Sequence, residues 1–399
     1  MKHLALIVAL AAPTGALANP DPADWTAVTG EATGQTVFWN AWGGSTTTND
    51  FIAWVGTRVM EDYGVTLEHV KLTDTADAVT RVLSEKQAGE NDDGAIDMIW
   101  INGSNFAAMK EADLLFGPFA EQLPNWAFVD VEGKTVQTDF TVPVEGFEAP
   151  WAMAQVVFMY DTADIERPLT SMPAILEWAR ANPGRFTYPQ PPDFLGSTFL
   201  KQALVDLLED PGVLQDPVSE ESYIGVTGPL WAYLDELTPL LWREGRAYPA
   251  TGPAQLQLIA DGEIDLAISF SPGEATAAIA NAQLPDTVRT FVLDKGTIGN
   301  ASFVAIPYNS GSAAGAMVVA NFLMSPEAQA RAQDPNILGY GTVLNMDALS
   351  VDQRAAFDAL DLGIATLSPA ELGPVQAEPH PSWMTRIADD WADRYGSGQ

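Results

Sequence analysis

The sequence predicts an α/β protein made of two packed units, and three observations predict it. Short apolar β-rich runs alternate with longer stretches of helical spacing. The strand-like runs are continuously apolar instead of alternating, as strands covered on both faces are. The pattern restarts after residue 150, and no low-complexity linker or internal repeat separates the halves. Strand–helix–strand order with such strands reads as a parallel, doubly wound sheet. Two such units without a flexible linker imply two lobes across a cleft.

In the first half, Thr36–Trp39 reads as a strand that ends at the Gly43-Gly44-Ser45 turn. Asn49 is a good N-cap for a helix on which Phe51, Val55 and Val59 recur at helical spacing. Residues 66–72 read as a second strand. Asp74 or Thr75 caps a helix carrying Ala78, Val82 and Leu83, and Ile96–Ile101 forms a third strand that ends in Asn102-Gly103-Ser104-Asn105. In the second half, strands are expected over 154–160, 185–188, 264–270, 290–293 and 302–306. Helices are expected over 173–181, 197–208, 230–241, 253–260, 312–323 and 326–333. The remaining chain reads as helical and irregular, anchored by Phe357, Leu360 and Leu362.

Residues 1–18 read differently. Lys2 supplies a small positive start, Leu4–Ala12 is an apolar run of signal-peptide length, and Ala16-Leu17-Ala18 is a small-x-small cleavage site. The run is too short to cross about 30 Å of hydrocarbon as a helix. A signal peptide ending at Ala18 and a free periplasmic protein starting near Asn19 are therefore expected; no Cys follows that could carry a lipid. The 399 residues include 19 Lys plus Arg against 53 Asp plus Glu, a formal charge of −34. Such a surface cannot displace counterions from nucleic acid or anionic lipid. With 47% hydrophobic residues, the chain is too apolar to be a disordered acidic one.

Metals and cofactors are not expected. After the leader the only histidines are His69 and His380, and Cys is absent, which removes the usual zinc sets. Gly89–Gly94 is acidic but lacks the ligand alternation of a calcium loop. No G-x-S-x-G, G-x-x-x-x-G-K-[ST] or H-E-x-x-H motif occurs.

The segments VFWNAWGGS, IDMIWINGSNF, GEIDLAISFSPGEA and ANFLMSPEAQARAQ, in that order behind a signal peptide, resemble the bacterial extracellular solute-binding proteins of ABC importers. The spacing is similar to the group with maltose-, iron- and thiamine-binding members, and GRFTYPQPPDFLGSTFLKQAL is similar to the YnjB-type subfamily. The resemblance spans about 35–345, and Phe322–Gln329 is its most specific marker. It implies a two-lobed periplasmic-binding-protein clamshell, type II-like, whose chain crosses the hinge more than once. Mapped here, lobe one is 35–148 plus 298–336 and lobe two is 149–297 plus 337–399. The iron-binding members' adjacent tyrosines have no counterpart here.

Four strand-to-helix turns carry small polar residues suited to a ligand: Trp42-Gly43-Gly44-Ser45, Asn102-Gly103-Ser104-Asn105, Gly196-Ser197-Thr198 and Ser271-Pro272-Gly273-Glu274. Gly lets backbone approach a ligand and helix N-termini offer free N–H groups, although the same residues serve as plain caps. Trp42 at a turn and Trp151 at the lobe crossing can stack on a flat ligand or face a cation, as can Tyr340 between Gly339 and Gly341. Glu145 and Glu148 flank Gly146-Phe147 before the crossing, and Glu148 is a candidate ligand contact.

The reading is a monomeric, non-enzymatic solute-binding component that captures a small polar solute, closes, and docks transiently on an ABC permease. The aromatics and acids favour an organic cation such as thiamine or a polyamine; the helix N-termini favour an oxyanion or carboxylate. An exported carbohydrate-active hydrolase or lyase using Glu145 and Glu148, or a sensor that docks to a receptor, are the alternatives.

Overall fold

The computed structural model describes residues 20–396; the expected signal peptide and its cleavage site lie outside them. Among the described residues, eleven strands fall into two main sheets and one small hairpin. The first contains β1 (Thr36–Trp42), β2 (Thr66–Leu72), β3 (Met98–Ile101), β6 (Glu148–Gln155), β10 (Thr297–Ala305) and β11 (Val375–Gln376). The second contains β7 (Val157–Asp161), β8 (Leu266–Ser269) and β9 (Val288–Phe291). β4 (Thr138–Asp139) and β5 (Val142–Pro143) make a small hairpin.

Only part of this is the parallel sheet expected. β1 pairs in parallel with β2 and β3, but β10 runs antiparallel to β3 and to β6. The second sheet is antiparallel throughout. Each of its strands is nevertheless buried almost along its length, because helices cover both faces. A continuous apolar run reports that burial and says nothing of strand direction.

Each of the two sheets carries one large hydrophobic core and a smaller cluster. Trp39, Phe51, Val55, Trp151, Phe303 and the helix Ala313–Leu323 build the first. Every residue of that helix is buried, because its face is small or apolar all round. Its one polar residue, Asn321, is satisfied by Asn125, which donates N–H to its Oδ1 at 2.9 Å and Nδ2–H to its carbonyl at 2.8 Å. Phe158, Phe186, Tyr188, Phe199, Trp231, Trp383 and Trp391 build the second core.

The chain passes between cores along β6–β7 and β10. Ala149, Trp151 and Ala152 pack in the first core, and Val156 is the first residue of the second. The run read as one strand over 154–160 is two strands of different sheets, joined at Val156, whose N–H bonds Ile298 at 2.8 Å. Leu338, Val343, Leu344, Leu349 and Phe357 also pack in the first core, where the sequence put 337–399 with the second lobe. Gln329 explains this: its Nε2 donates to the Trp151 and Leu323 carbonyls, and its Oε1 accepts from Thr342 and Val343. Met153 and Gly341 exchange backbone hydrogen bonds at 2.7 Å. The Phe322–Gln329 marker is therefore a structural clamp.

Other differences are local. The helix expected after Asn49 begins at Thr46, capped by Ser45. Residues 185–188 form only an isolated bridge, Phe186 with Leu266. The helix expected from 230 begins at Glu220, with a Ser219–Ser222 capping box.

Candidate functional site

The two cores meet along a seam closed at both ends. At one end the Ser271–Glu274 turn abuts Leu338–Tyr340. Ser271 Oγ donates to the Leu338 carbonyl at 3.0 Å, and Gly273 N–H to the Gly339 carbonyl at 3.2 Å. A Cβ on Gly273 would lie 2.4 Å from the Gly339 Cα, so this approach requires glycine. At the other end Lys201, in the helix Phe194–Leu207, reaches the Phe140 ring on the β4–β5 hairpin, with Nζ 4.8 Å from its centroid. Lys201 also forms a buried ion pair with Glu378 at 2.6 Å, and Glu378 accepts from Asn300 Nδ2 at 3.0 Å. The floor between is β10, where Asn102 Nδ2 donates to the Ala301 carbonyl at 2.7 Å.

The predicted residues divide unequally. Trp42 ends β1, is half-buried and belongs to neither core; its ring lies over Gly44, where a Cβ would sit 2.4 Å from it. Gly43 is half-buried against Lys71, and Ser45 serves as the N-cap through Thr48 N–H at 3.4 Å. Asn102 and Asn105 are half-buried and Ser104 is exposed, whereas Gly103 is buried. Ser271 and Glu274 are half-buried at the seam, with Gly273 buried there. Tyr340 is half-buried and leans edge-on against Trp151 at 6.1 Å.

Trp151 itself is 1% exposed, packed against Trp39, Phe51, Trp100 and Tyr340, so its ring is the support beneath the seam. Gly196, Ser197 and Thr198 do not form a turn. They sit in the first turns of the helix Phe194–Leu207, whose N-cap is Asp193. Thr198 is buried and donates to the Phe194 carbonyl at 2.8 Å, and Gly196 is pressed against the Pro189 carbonyl. Ser197 alone keeps partial exposure. Glu148 is fully buried, while Glu145 is exposed and paired with Lys110 at 2.7 Å.

Sequence reasoning missed Asp139, Phe140, Phe194, Lys201 and Glu378. Asp139 is fully buried, and its Oδ2 accepts the Gly103 N–H at 2.5 Å. Burial pushes its carboxyl up to about 8 against the pull of that N–H, and the Glu378 charge adds to the rise. Glu148 is held well above the usual carboxylate range by burial and then by the Asp139 charge. Burial also raises Glu274, which accepts from Ser269 Oγ, and raises Tyr340, next to the Glu274 charge. Phe194, half-exposed, stands edge-on to Phe270 at 5.2 Å. Among the described residues, no group of three or more His, Asp or Glu is placed to hold a metal ion, and no helix is long and apolar enough to cross a membrane.

A carboxyl side chain stands at three of the four helix starts, although only Asp193 caps its helix through the first N–H groups. Asp139 takes the N–H before Ser104–Glu111, Asp193 takes those of Leu195 and Gly196, and Glu274 opens its own helix. The fourth is capped by the Ser45 hydroxyl.

The model of a family described as bacterial extracellular solute-binding protein matches residues 54–351. The chain belongs to this family. It is 42% identical over 374 residues to Protein YnjB of Escherichia coli strain K12, covering 94% of each chain. Among solved structures, the spermidine/putrescine ABC transporter substrate-binding protein PotD of Streptococcus pneumoniae matches with a TM-score of 0.60 and 15% identity, over 90% of this chain and 98% of that one. The periplasmic binding protein AfuA of Actinobacillus pleuropneumoniae, solved with fructose-6-phosphate, matches with a TM-score of 0.63 and 12% identity, over 91% and 99%. At these identities the likeness establishes the two-lobed fold alone. The family shown is therefore one of extracellular solute-binding proteins.

Proposed function

We propose that this protein captures a small organic cation, of the thiamine or polyamine kind, in the inter-lobe cleft and hands it as a monomer to an ABC permease from the periplasm. One observation carries the choice of ligand class: carboxyl side chains, Asp139, Asp193 and Glu274, stand at three of the helix starts along the seam. An anion there would meet carboxyl oxygens, and like charge once those acids ionise, where it would otherwise find free N–H groups. Trp42, half-buried outside both cores, offers a stacking face. In this reading Trp42, Gly43, Gly44, Ser45, Asn102, Ser104 and Asn105 approach the solute from one lobe. Ser197, Ser271 and Glu274 approach from the other, and Tyr340 lies at the seam. We assign residues 338–357 to the first lobe on their packing.

Catalysis by Glu145 and Glu148 is unsupported. Glu145 is exposed and paired with Lys110, whereas Glu148 is fully buried with no hydrogen-bond partner, so the two are not set facing one substrate as an acid–base pair. Work here is a population shift: ligand contacts to both lobes favour the closed form.

The test uses protein secreted from cells. Its N-terminus should read from Asn19, and an intact Met1 would remove the periplasmic part. Putrescine, spermidine and thiamine are then titrated with small-angle scattering. At least one should lower the radius of gyration and be recovered unchanged. Turnover of a bound compound, or closure by phosphate alone, would overturn the reading.

A further inference from the structure

The charged end of the seam holds an imbalance that its own residues do not resolve. Three buried carboxyl groups gather there: Asp139 on the hairpin, Glu148 at the start of β6, and Glu378 after β11. Only one buried ammonium, Lys201, joins them, and it is committed to Glu378. Lys110 acts on Glu148 from the helix Ser104–Glu111 but is itself bound to Glu145 and the Pro143 carbonyl. Asp139 Oδ1 and both oxygens of Glu148 are buried with no hydrogen-bond partner. Buried polar atoms are nearly always paired, so three orphaned carboxyl oxygens at one place call for an occupant. The neighbourhood already shows which occupant suits it, because Lys201 places an ammonium over the Phe140 ring beside these acids.

We propose that Asp139 and Glu148 are the receptors for the positively charged nitrogen of the solute, which enters beside Phe140 and takes the unpaired carboxyl oxygens. The inference rests on the solute-binding reading above and adds the residues that select the charge. It carries a linked consequence. Without ligand, burial keeps both carboxyl groups protonated, Asp139 up to about 8 and Glu148 well above its usual range. The charged groups that face them are Glu378 and Lys201 from the second lobe and Lys110 from the first, with the Asn102 side chain beside Asp139. The incoming charge favours the ionised acids, so each N–H···O contact forms as a proton leaves for solvent.

The experiment is isothermal titration with putrescine, spermidine and thiamine, and with glucose and phosphate as neutral and anionic probes, in buffers of different ionisation enthalpy. At least one cation should bind with release of about one or two protons near pH 7, and its affinity should rise with pH up to about 8, by at most about tenfold per unit for each proton. Asp139→Asn and Glu148→Gln should each weaken that binding by roughly 10- to 100-fold and abolish part of the proton release. Both remove a buried acid and should melt no lower than the parent, which keeps a folding failure visible. Glu327→Gln, in the exposed Arg58 network, should bind as the parent does. Cation binding without proton release and unchanged in both variants would overturn the assignment and leave the solute-binding reading intact. Binding of glucose or phosphate but of no cation would overturn both this assignment and the choice of an organic cation as the solute. Binding of none of the five would count against the assignment and the solute-binding reading alike.

Discussion

At one end of the seam Ser271 and Gly273 meet Leu338 and Gly339 through hydrogen bonds to backbone, over an aromatic support of Trp100, Trp151 and Tyr340. At the other end Lys201 crosses to Phe140, pairs with Glu378, and stands near Asp139. The first end joins the lobes through neutral hydrogen bonds, and its one acid, Glu274, accepts from Ser269 Oγ. The second buries three acids for one base and leaves carboxyl oxygens unpaired. Neutral contacts between lobes can close a clamshell without a ligand. An unbalanced charge in a low-dielectric place is stable only when protonated or compensated. On the proposed reading, closure chemistry and ligand selection are separated in space.

The largest expected effects come from breaking each end. Lys201→Met should cost about 3–5 kcal/mol of unfolding free energy, because it strands Glu378 in the interior. Lys201→Met with Glu378→Leu should recover most of the loss, and denaturant unfolding of the three proteins measures it. An equal loss in the double variant would mean that packing, and not charge, holds this end together. Trp151→Ala should cost a similar ~3–5 kcal/mol, since the ring is core and not cleft surface. A small stability loss with a large affinity loss would move Trp151 back to the surface.

How these residues were found or missed is instructive. The alternation of elements, the two-unit organisation and three of the four turns were legible because burial and capping leave local marks: period, apolar runs, and Ser, Asn or Gly before a helix. Trp42 was legible because a Trp at the end of a strand, next to Gly-Gly, has no core to enter. Trp151 was misjudged because a lobe crossing looks like a cleft in sequence, whereas β6 carries its ring into the first core before the chain leaves it. Asp139 was invisible: its hairpin is two residues per strand, and its partner Gly103 is remote in sequence. Lys201 and Glu378 are paired across 177 residues. Gly196-Ser197-Thr198 read as a turn because Asp193, the true cap, follows three prolines that hide the helix start. Antiparallel pairing in the second sheet leaves no mark in strands buried on both faces.

A middle-sized effect separates the ends by pH. A carboxyl whose folded value is raised holds its proton more tightly in the native state. Its contribution to stability is therefore full below about 4, falls as pH rises, and is lost through about 8 for Asp139. The slope is at most about 1.4 kcal/mol per pH unit. Thermal melts of ligand-free protein should show Asp139→Asn gaining on the parent between pH 5 and 8, in steps of about one unit. A constant difference would place a charged, compensated Asp139 in the free protein. The smallest effect belongs to Trp42→Ala, which should weaken ligand binding by about 0.5–2 kcal/mol, or roughly 2- to 30-fold in Kd, with little change in stability. Lost stability with unchanged affinity would remove Trp42 from the site.

The central claim is that the cleft selects a positively charged solute at its acidic end. Native mass spectrometry of the exported protein, purified without refolding, tests it most directly. The account predicts a bound small molecule that carries a charged nitrogen and that is depleted from Asp139→Asn prepared in the same way. A bound sugar or anion, or a cation retained equally by the parent and the variant, would contradict it.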